Sequence, residues 1–219
     1  MRRRGFFITF EGPEGSGKSS QSRRLVRWMK RQGYRVVFLR DPGSTALGRK
    51  LRQVLLHASV PLSPLAEALL FIGGRVQLVE ELIEPALRRG AVVVCDRFHD
   101  ATVAYQGFGG QLNVQWLNRF GRSAIGGVMP QLTILLDVPP AQGFARIKRT
   151  KDRMERKAST FHRRVRAGYR TLAACEPNRF AVVDASQSPG AVRRDIQRIT
   201  MQRLRRRSST VVGRETRNA

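Results

Sequence analysis

Gly12-Pro13-Glu14-Gly15-Ser16-Gly17-Lys18-Ser19 is the stretch that decides the fold, because it fits G-x-x-x-x-G-K-[S/T] in the context which that pattern requires. A short apolar run at 6–10 precedes it, and the apolar spacing at 19–32 predicts a helix after it. Glycines let such a loop turn its backbone N–H groups toward phosphate oxygens, and the helix N-terminus adds a positive dipole end. The sequence therefore predicts a P-loop that binds a nucleoside triphosphate.

Two side chains of the loop have predicted roles. Lys18 is expected to reach the β- and γ-phosphates, and the Ser19 hydroxyl is expected to bind Mg²⁺. The predicted ATP-binding residues are Gly12, Pro13, Glu14, Gly15, Ser16, Gly17, Lys18, Ser19 and Ser20. The motif does not say what happens to the triphosphate, because helicases, GTPases, transport ATPases and small-molecule kinases could share it.

Strand-like and helix-like segments alternate along the rest of the chain. Strands are predicted at 6–10, 36–39, 91–95, 132–136 and 180–183, and helices at 19–32, 47–57, 64–89, 113–125, 141–149, 160–175 and 189–204. This alternation favours an α/β fold of the three-layer P-loop NTPase type, with a five-stranded parallel sheet flanked by helices. We expect one domain over residues 1–204, with a short basic lid at about 148–158, and a basic, disordered tail at 205–219.

The charge is strongly basic, with 41 Lys and Arg against 16 Asp and Glu in 219 residues, or +25. It is compatible with nucleic-acid binding, with a site for polyanionic nucleotides, or with a compositional bias. The arginines are spread along the chain rather than concentrated in one patch. We therefore expect nucleic-acid contact only as a nonspecific charge effect.

The sequence also bears on location. It contains no apolar stretch of about 20 residues, and the apolar run that follows Met1–Arg4 is too short for a signal peptide. The two cysteines, Cys95 and Cys175, are too few for a disulfide framework and match no metal-binding spacing. We expect a cytoplasmic protein with no membrane association.

Four further segments narrow the choice among P-loop proteins. They are Arg40-Asp41-Pro42-Gly43-Ser44-Thr45, Phe71-Ile72-Gly73-Gly74-Arg75, Asp96-Arg97-Phe98 with residues 102–107 (TVAYQG) after it, and Asp152-Arg153-Met154-Glu155. Together with the P-loop, the ordered set resembles the bacterial thymidylate kinases over about residues 6–200. The resemblance implies a homodimeric kinase that moves the γ-phosphate of ATP to dTMP, giving dTDP, with Mg²⁺ as cofactor.

The resemblance implies roles for residues that would contact the acceptor nucleoside. Phe71 would stack on the thymine ring, Arg75 would donate to a thymine carbonyl, and Thr102 would hydrogen-bond the base edge. Tyr105 would close against the position of a ribose 2′-OH, and Gln106 is a weaker candidate in the same site. A core Phe, a surface helix Arg and a core Tyr are the alternatives for Phe71, Arg75 and Tyr105.

The resemblance also implies roles around the phosphates. Arg97 would clamp the acceptor phosphate through two parallel hydrogen bonds. Asp96 would position Mg²⁺ or the acceptor, and Glu14 and Asp41 could bind the metal shell or the sugar hydroxyl. Arg52 could also meet the acceptor phosphate, with a solvated arginine as the alternative.

The charged stretch at 146–156 resembles the lid of nucleoside monophosphate kinases. Because the P-loop carries Glu14 and no arginine, we expect a lid arginine to stabilise the charge of the transition state. Arg153 is the first choice for this role and Arg149 the second. The alternatives for the whole chain are another P-loop nucleotide kinase and a nucleic-acid-associated NTPase.

Overall fold

The computed structural model describes the backbone of residues 5–57 and 60–215, and the side chains of those residues as far as Arg206. Its five strands form one all-parallel sheet in the order β2-β3-β1-β4-β5. The strands are β1 (Phe6–Glu11), β2 (Val36–Arg40), β3 (Val92–Asp96), β4 (Leu132–Asp137) and β5 (Phe180–Asp184). The predicted α/β fold with a five-stranded parallel sheet is confirmed, and each strand lies within about one residue of its predicted bounds.

Helices cover the sheet. They are α1 (Lys18–Arg31), α2 (Ala46–His57), α3 (Pro64–Leu78), α4 (Glu84–Arg88), α5 (His99–Thr102), α6 (Val114–Ala124), α7 (Pro140–Ala145), α8 (Ser159–Cys175) and α9 (Pro189–Glu215). Two π-helical segments, π1 (Val79–Ile83) and π2 (Val103–Gly109), join α3 to α4 and continue α5. In the described part of the chain, no helix combines the length and apolar character needed to cross a membrane.

The central strand β1 is buried along its whole length, as expected for a parallel strand covered on both faces. Phe6, Ile8 and Phe10 pack into a cluster with α1 and α9, whereas Phe7 packs into a second cluster with π1, α4 and β3. This alternation follows the two-residue period of a strand. The buried sheet therefore holds the carboxyl ends of β1 and β3, where the site lies, on a fixed frame.

Before α9, two predicted helices differ from their predicted form and one helical segment was not predicted. The predicted helix 64–89 is interrupted by π1, and the predicted helix 141–149 ends at Ala145, which leaves most of the lid irregular. The helical segment at 99–109 was not predicted. Its two glycines, Gly107 and Gly109, disfavour a helix, but π2 is held by extensive packing against α8.

The last helix is longer than predicted. It continues to Glu215, whereas the sequence predicted a helix end at about Leu204 and disorder over 205–219. Residues 203–207 are Arg and Leu, which favour helix and give no stop signal. Residues 1–4 and 216–219 lie outside the described residues, and the predicted domain boundary after 204 stays a prediction.

Candidate active site

The loop between β1 and α1 depends on glycines at its bends. Gly12, Gly15 and Gly17 all have positive φ, at 139°, 66° and 88°. A Cβ at Gly12 would lie 2.3 Å from the Leu136 carbonyl oxygen, and one at Gly15 would lie 1.8 Å from the Gly143 carbonyl oxygen. The loop therefore reaches its conformation only with glycine at these positions, and it leads directly into the N-terminus of α1.

Lys18 folds back over this loop. Its Nζ donates to the Pro13 carbonyl oxygen at 2.6 Å and to Ser16 Oγ at 3.2 Å. Burial, with a further contribution from the Arg97 charge, lowers the pKa of Lys18 to about 7. The ammonium group is thus held in the loop by weak acceptors that phosphate oxygens can replace.

A hydroxyl and a carboxylate meet beside the loop. Ser19 Oγ donates to Asp96 Oδ2 at 2.5 Å, and Arg40 Nη2 lies 3.2 Å from Ser19 Oγ and 3.3 Å from Asp96 Oδ2. Mg²⁺ prefers oxygen ligands, and it usually takes one or two from protein and the rest from water and substrate phosphates. The Ser19 and Asp96 oxygens fit that requirement.

Arg97 is the centre of the acceptor side. It follows β3 with φ of 69°, and its backbone N–H donates to the Phe10 carbonyl oxygen at 3.0 Å, which fixes this unusual conformation. Its Nη1 donates to Tyr169 Oη at 3.1 Å, its Nη2 donates to Tyr105 Oη at 3.1 Å, and the guanidinium lies over the Tyr105 ring at 4.8 Å. The guanidinium is therefore pre-oriented at the edge of the cleft.

Glu14 belongs to this acceptor side. Its carboxylate accepts a hydrogen bond from Tyr105 Oη, lies 3.5 Å from Arg97 Nη2, and lies 3.4 Å from His162 Nδ1. Burial opposes ionisation, but contacts led by His162 and Arg97 lower the pKa of Glu14 to about 2. These contacts favour the predicted role near the acceptor over the predicted metal contact.

Arg75 is buried inside the protein, so the alternative of a surface helix arginine is wrong. Its side chain is 2% exposed, Nε donates to Asp41 Oδ2 at 2.5 Å, and Nη2 donates to Thr102 Oγ1 at 2.9 Å. Among the described residues, Nη1 has no hydrogen-bond partner. A buried donor without an acceptor is costly, so a ligand that supplies one would be bound strongly here.

One cleft of about 820 Å³ brings the predicted site residues together. Those that line it are Glu14, Gly15, Gly17, Lys18, Ser19, Ser20, Asp41, Arg52, Phe71, Arg75, Asp96, Arg97, Thr102, Tyr105, Gln106 and Arg149. Phe71 is half-buried at the wall of the cleft, so it is not a fully buried core residue. Arg52 donates to the Pro42 carbonyl oxygen at 3.2 Å.

The two lid arginines differ in where they point. Arg153 does not line the cleft, because its Nε donates to the Leu55 carbonyl oxygen at 2.8 Å and its Nη1 to Glu67 Oε1 at 2.7 Å. Arg149 lines the cleft and forms a two-pronged pair with Glu155 at 2.6 and 2.8 Å. The geometry thus favours Arg149, the second choice, for contact with a bound nucleotide.

Several residues of the site were not found from the sequence. Tyr169 of α8 donates to Glu11 Oε2 at 2.7 Å and accepts from Arg97. It therefore connects the Arg97 side chain to β1 through two hydrogen bonds. His162, to which the sequence assigned no role, lies beside Glu14. From the sequence, Glu67 is an acid in the first turn of a helix, where acids are common. Only its contacts with Arg153, Lys157 and Gln106 indicate a role in the site.

These features together define a nucleoside monophosphate kinase. They are a P-loop, a buried arginine that faces a second subsite, an arginine at the end of the adjacent strand, and a basic lid. The comparisons with known proteins make the identification narrower. The family model for thymidylate kinase matches residues 10–196. The chain is 48% identical to a thymidylate kinase of Synechococcus sp. (strain JA-2-3B'a(2-13)), over 85% of this chain and 89% of that protein.

Two further comparisons agree. The chain is 46% identical to a thymidylate kinase of Deinococcus radiodurans, over 84% of this chain and 90% of the relative. A crystal structure of thymidylate kinase from Ehrlichia chaffeensis is similar with a TM-score of 0.74 and 32% identity, and covers 90% of this chain and 99% of that one. The chain belongs to the thymidylate kinase family. It is a phosphotransferase that converts dTMP to dTDP with ATP as donor, and nothing found favours either alternative function.

Proposed function

We propose that the cleft aligns ATP on the P-loop with dTMP on the α3 and π2 side, so that the γ-phosphoryl group passes directly between them. The observation that carries this assignment is the unpartnered Nη1 of buried Arg75, which lines the same cleft as Lys18 and Arg97. Lys18 and Arg97 thus supply positive charge for phosphates, while Arg75 supplies a donor for a base carbonyl. Phosphoryl transfer needs this alignment and charge stabilisation more than it needs covalent help.

On the donor side, the loop backbone and Lys18 bind the ATP phosphates. Lys18 exchanges the Pro13 and Ser16 oxygens for the β- and γ-phosphate oxygens. Ser19 and Asp96 would hold Mg²⁺, which neutralises charge that develops on the phosphates. The predicted loop contacts of residues 12–20 remain part of this proposal.

On the acceptor side, the base lies between α3 and π2. Phe71 stacks on the thymine ring, and Arg75 Nη1 donates to a thymine carbonyl from the position that Asp41 and Thr102 fix. Gln106 contacts the base edge beside them. Arg75 can contact thymine without breaking another hydrogen bond, because its Nη1 has no hydrogen-bond partner among the described residues.

The sugar and phosphate of dTMP lie toward the P-loop. The Tyr105 ring closes against C2′, where a ribose hydroxyl would clash, and Glu14 faces the sugar hydroxyl. Arg97 clamps the acceptor phosphate, supported by Tyr105 and Tyr169. Arg52 contributes a second cation to the same phosphate.

The lid supplies the transition-state cation, and the different contacts of its two candidate arginines support different roles for them. Arg149→Met is expected to lower kcat about a hundredfold with little change in KM, as for removal of one charge-stabilising donor. Arg153→Met is expected to raise both KM values more than it lowers kcat, because it detaches the lid from α2 and α3. Steady-state kinetics of the two variants show which arginine stabilises the transition state. A larger loss of kcat for Arg153→Met than for Arg149→Met would assign that role to Arg153.

We also propose a homodimer formed through α2, α3 and α6. These helices pack side by side, and they carry six large apolar side chains that are each 39–47% exposed. They are Leu47, Val54, Leu65, Leu69, Trp116 and Phe120. Exposed apolar side chains on three neighbouring helices suit association with a second copy.

Sedimentation equilibrium tests the dimer. The unchanged protein is expected to sediment as a dimer and Leu69→Glu as a monomer, because a charge cannot be buried in an apolar interface without a partner. Val182→Glu, an equally drastic change at an exposed position on the edge strand β5, is the matched control and should leave the mass unchanged. A monomeric unchanged protein would contradict the proposal.

We further propose that the enzyme works in the cytoplasm. Cys95 and Cys175 are both free thiols, one buried and one exposed. Free cysteines of this kind suit a reducing compartment.

A further inference from the structure

Glu67 joins the lid to the part of the cleft that receives the base. It lies in the first turn of α3, one turn before Phe71, and is 1% exposed. Its Oε1 accepts from Arg153 Nη1 at 2.7 Å and from Lys157 Nζ at 2.9 Å, and Lys157 Nζ also lies 3.1 Å from Oε2. Its Oε2 accepts from Gln106 Nε2 at 3.0 Å. One buried carboxylate therefore contacts two lid cations and one amide of π2.

The contact with Glu67 fixes the orientation of the Gln106 amide. A carboxylate held between two cations has acceptor atoms only. A flipped Gln106 amide would place its own oxygen against a carboxylate oxygen, while Nε2 would lose its acceptor. Gln106 is almost fully buried and lines the cleft. With one N–H of Nε2 committed to Glu67, Oε1 is the acceptor atom of this side chain that remains for a ligand.

A fixed amide oxygen distinguishes thymine from cytosine. Thymine presents a ring N–H next to its carbonyl oxygen O4, whereas cytosine presents an unprotonated ring nitrogen next to an amino group. Gln106 Oε1 can accept from the thymine N–H but would meet the lone pair of cytosine. Arg75 makes the same distinction at the neighbouring position, because a guanidinium donates to a carbonyl oxygen and not to an amino group.

We propose that Glu67 is a positioning residue for acceptor specificity, which holds the Gln106 amide in the orientation that accepts thymine and rejects cytosine. Glu67 itself does not touch the substrate. The inference rests on the proposed contact between Gln106 and the base edge, and it adds the group that decides which atom of Gln106 makes that contact.

Glu67→Gln tests the inference with the shape of the side chain preserved. A glutamine at this position offers both a donor and an acceptor, so the Gln106 amide can turn and accommodate either base. We expect the ratio of kcat/KM for dTMP to kcat/KM for dCMP to fall about tenfold, the usual order of effect for one hydrogen bond. The change in the ratio should lie mainly in the KM values of the two acceptors.

Two further variants separate the amide from the lid. Lys157→Met removes one lid cation from Glu67 but leaves the Gln106 hydrogen bond, so the dTMP to dCMP ratio should stay as in the unchanged protein. Gln106→Leu removes the amide, and its ratio should fall. Adding Glu67→Gln to Gln106→Leu should then change the ratio no further, because interacting residues are not additive.

Each other outcome contradicts a defined part of the account. An unchanged ratio in Gln106→Leu would remove the proposed base contact of Gln106 and the inference with it. A lower ratio in Gln106→Leu with an unchanged ratio in Glu67→Gln would overturn the inference alone. An equal fall in Lys157→Met and Glu67→Gln would show that lid attachment, and not amide orientation, sets the ratio.

Discussion

Lys18→Ala is expected to lower kcat about a thousandfold while the KM of dTMP changes little. Lys18 is 7% exposed and already sits inside the phosphate loop, so its charge acts through little solvent. Negative charge on the β- and γ-phosphate oxygens grows toward the transition state, and loss of one preorganised donor there costs about a hundred- to a thousandfold in rate. Steady-state kinetics with each nucleotide varied in turn measure the effect.

Lys30→Ala is the matched control for this variant, because Lys30 is exposed in the last turn of the same helix. Its kinetics should equal those of the unchanged protein.

The pH dependence of ATP binding is a further test of Lys18. The unchanged protein should lose ATP affinity as the pH rises above about 7, since the lowered pKa of Lys18 means that its amino group is largely neutral there in the free enzyme. Near-normal kcat in Lys18→Ala would refute the assigned role of the loop lysine.

Arg97→Ala should act on the other substrate. We expect kcat/KM for dTMP to fall about a thousandfold, mainly through KM, with a small change in the KM of ATP, because the clamp on the acceptor phosphate is lost. Arg97 also supports Tyr105 and Tyr169, so the melting temperature must be measured with the kinetics.

Arg97→Lys separates the charge of the guanidinium from its shape. Lysine keeps a positive charge but cannot form two parallel hydrogen bonds to a phosphate. We expect a loss of at least about tenfold in kcat/KM for dTMP. A variant whose main defect is a raised KM for ATP would show that Arg97 serves the donor nucleotide.

The fold could be predicted because its signals are local. The buried strands are mostly apolar runs, and the P-loop lies between one of them and a helix. The unpredicted π2 segment contains Gly107 and Gly109, so local propensity disfavours the helix that tertiary packing imposes. The end of α9 was missed for a different reason, because residues 203–207 favour helix locally although the sequence after them lacks an apolar period.

The candidate site could be predicted less completely, because several contacts join distant parts of the chain. Motif residues such as Arg75 and Arg97 do line one cleft. The choice between Arg149 and Arg153 could not be made from a run of like charges, since it depends on Glu67, which lies far away in sequence. Glu14, the carboxylate beside His162, is still more distant in sequence and lies in the P-loop.

A coupled assay of ADP release across a panel of nucleoside monophosphates tests the central claim most directly. With ATP and Mg²⁺ present, we expect rapid turnover of dTMP, and much less turnover of ribo-TMP, dCMP, dGMP and AMP. The Arg75 donor and the Tyr105 ring are the structural reasons for that order. Turnover of a purine monophosphate that equals or exceeds turnover of dTMP would contradict the account.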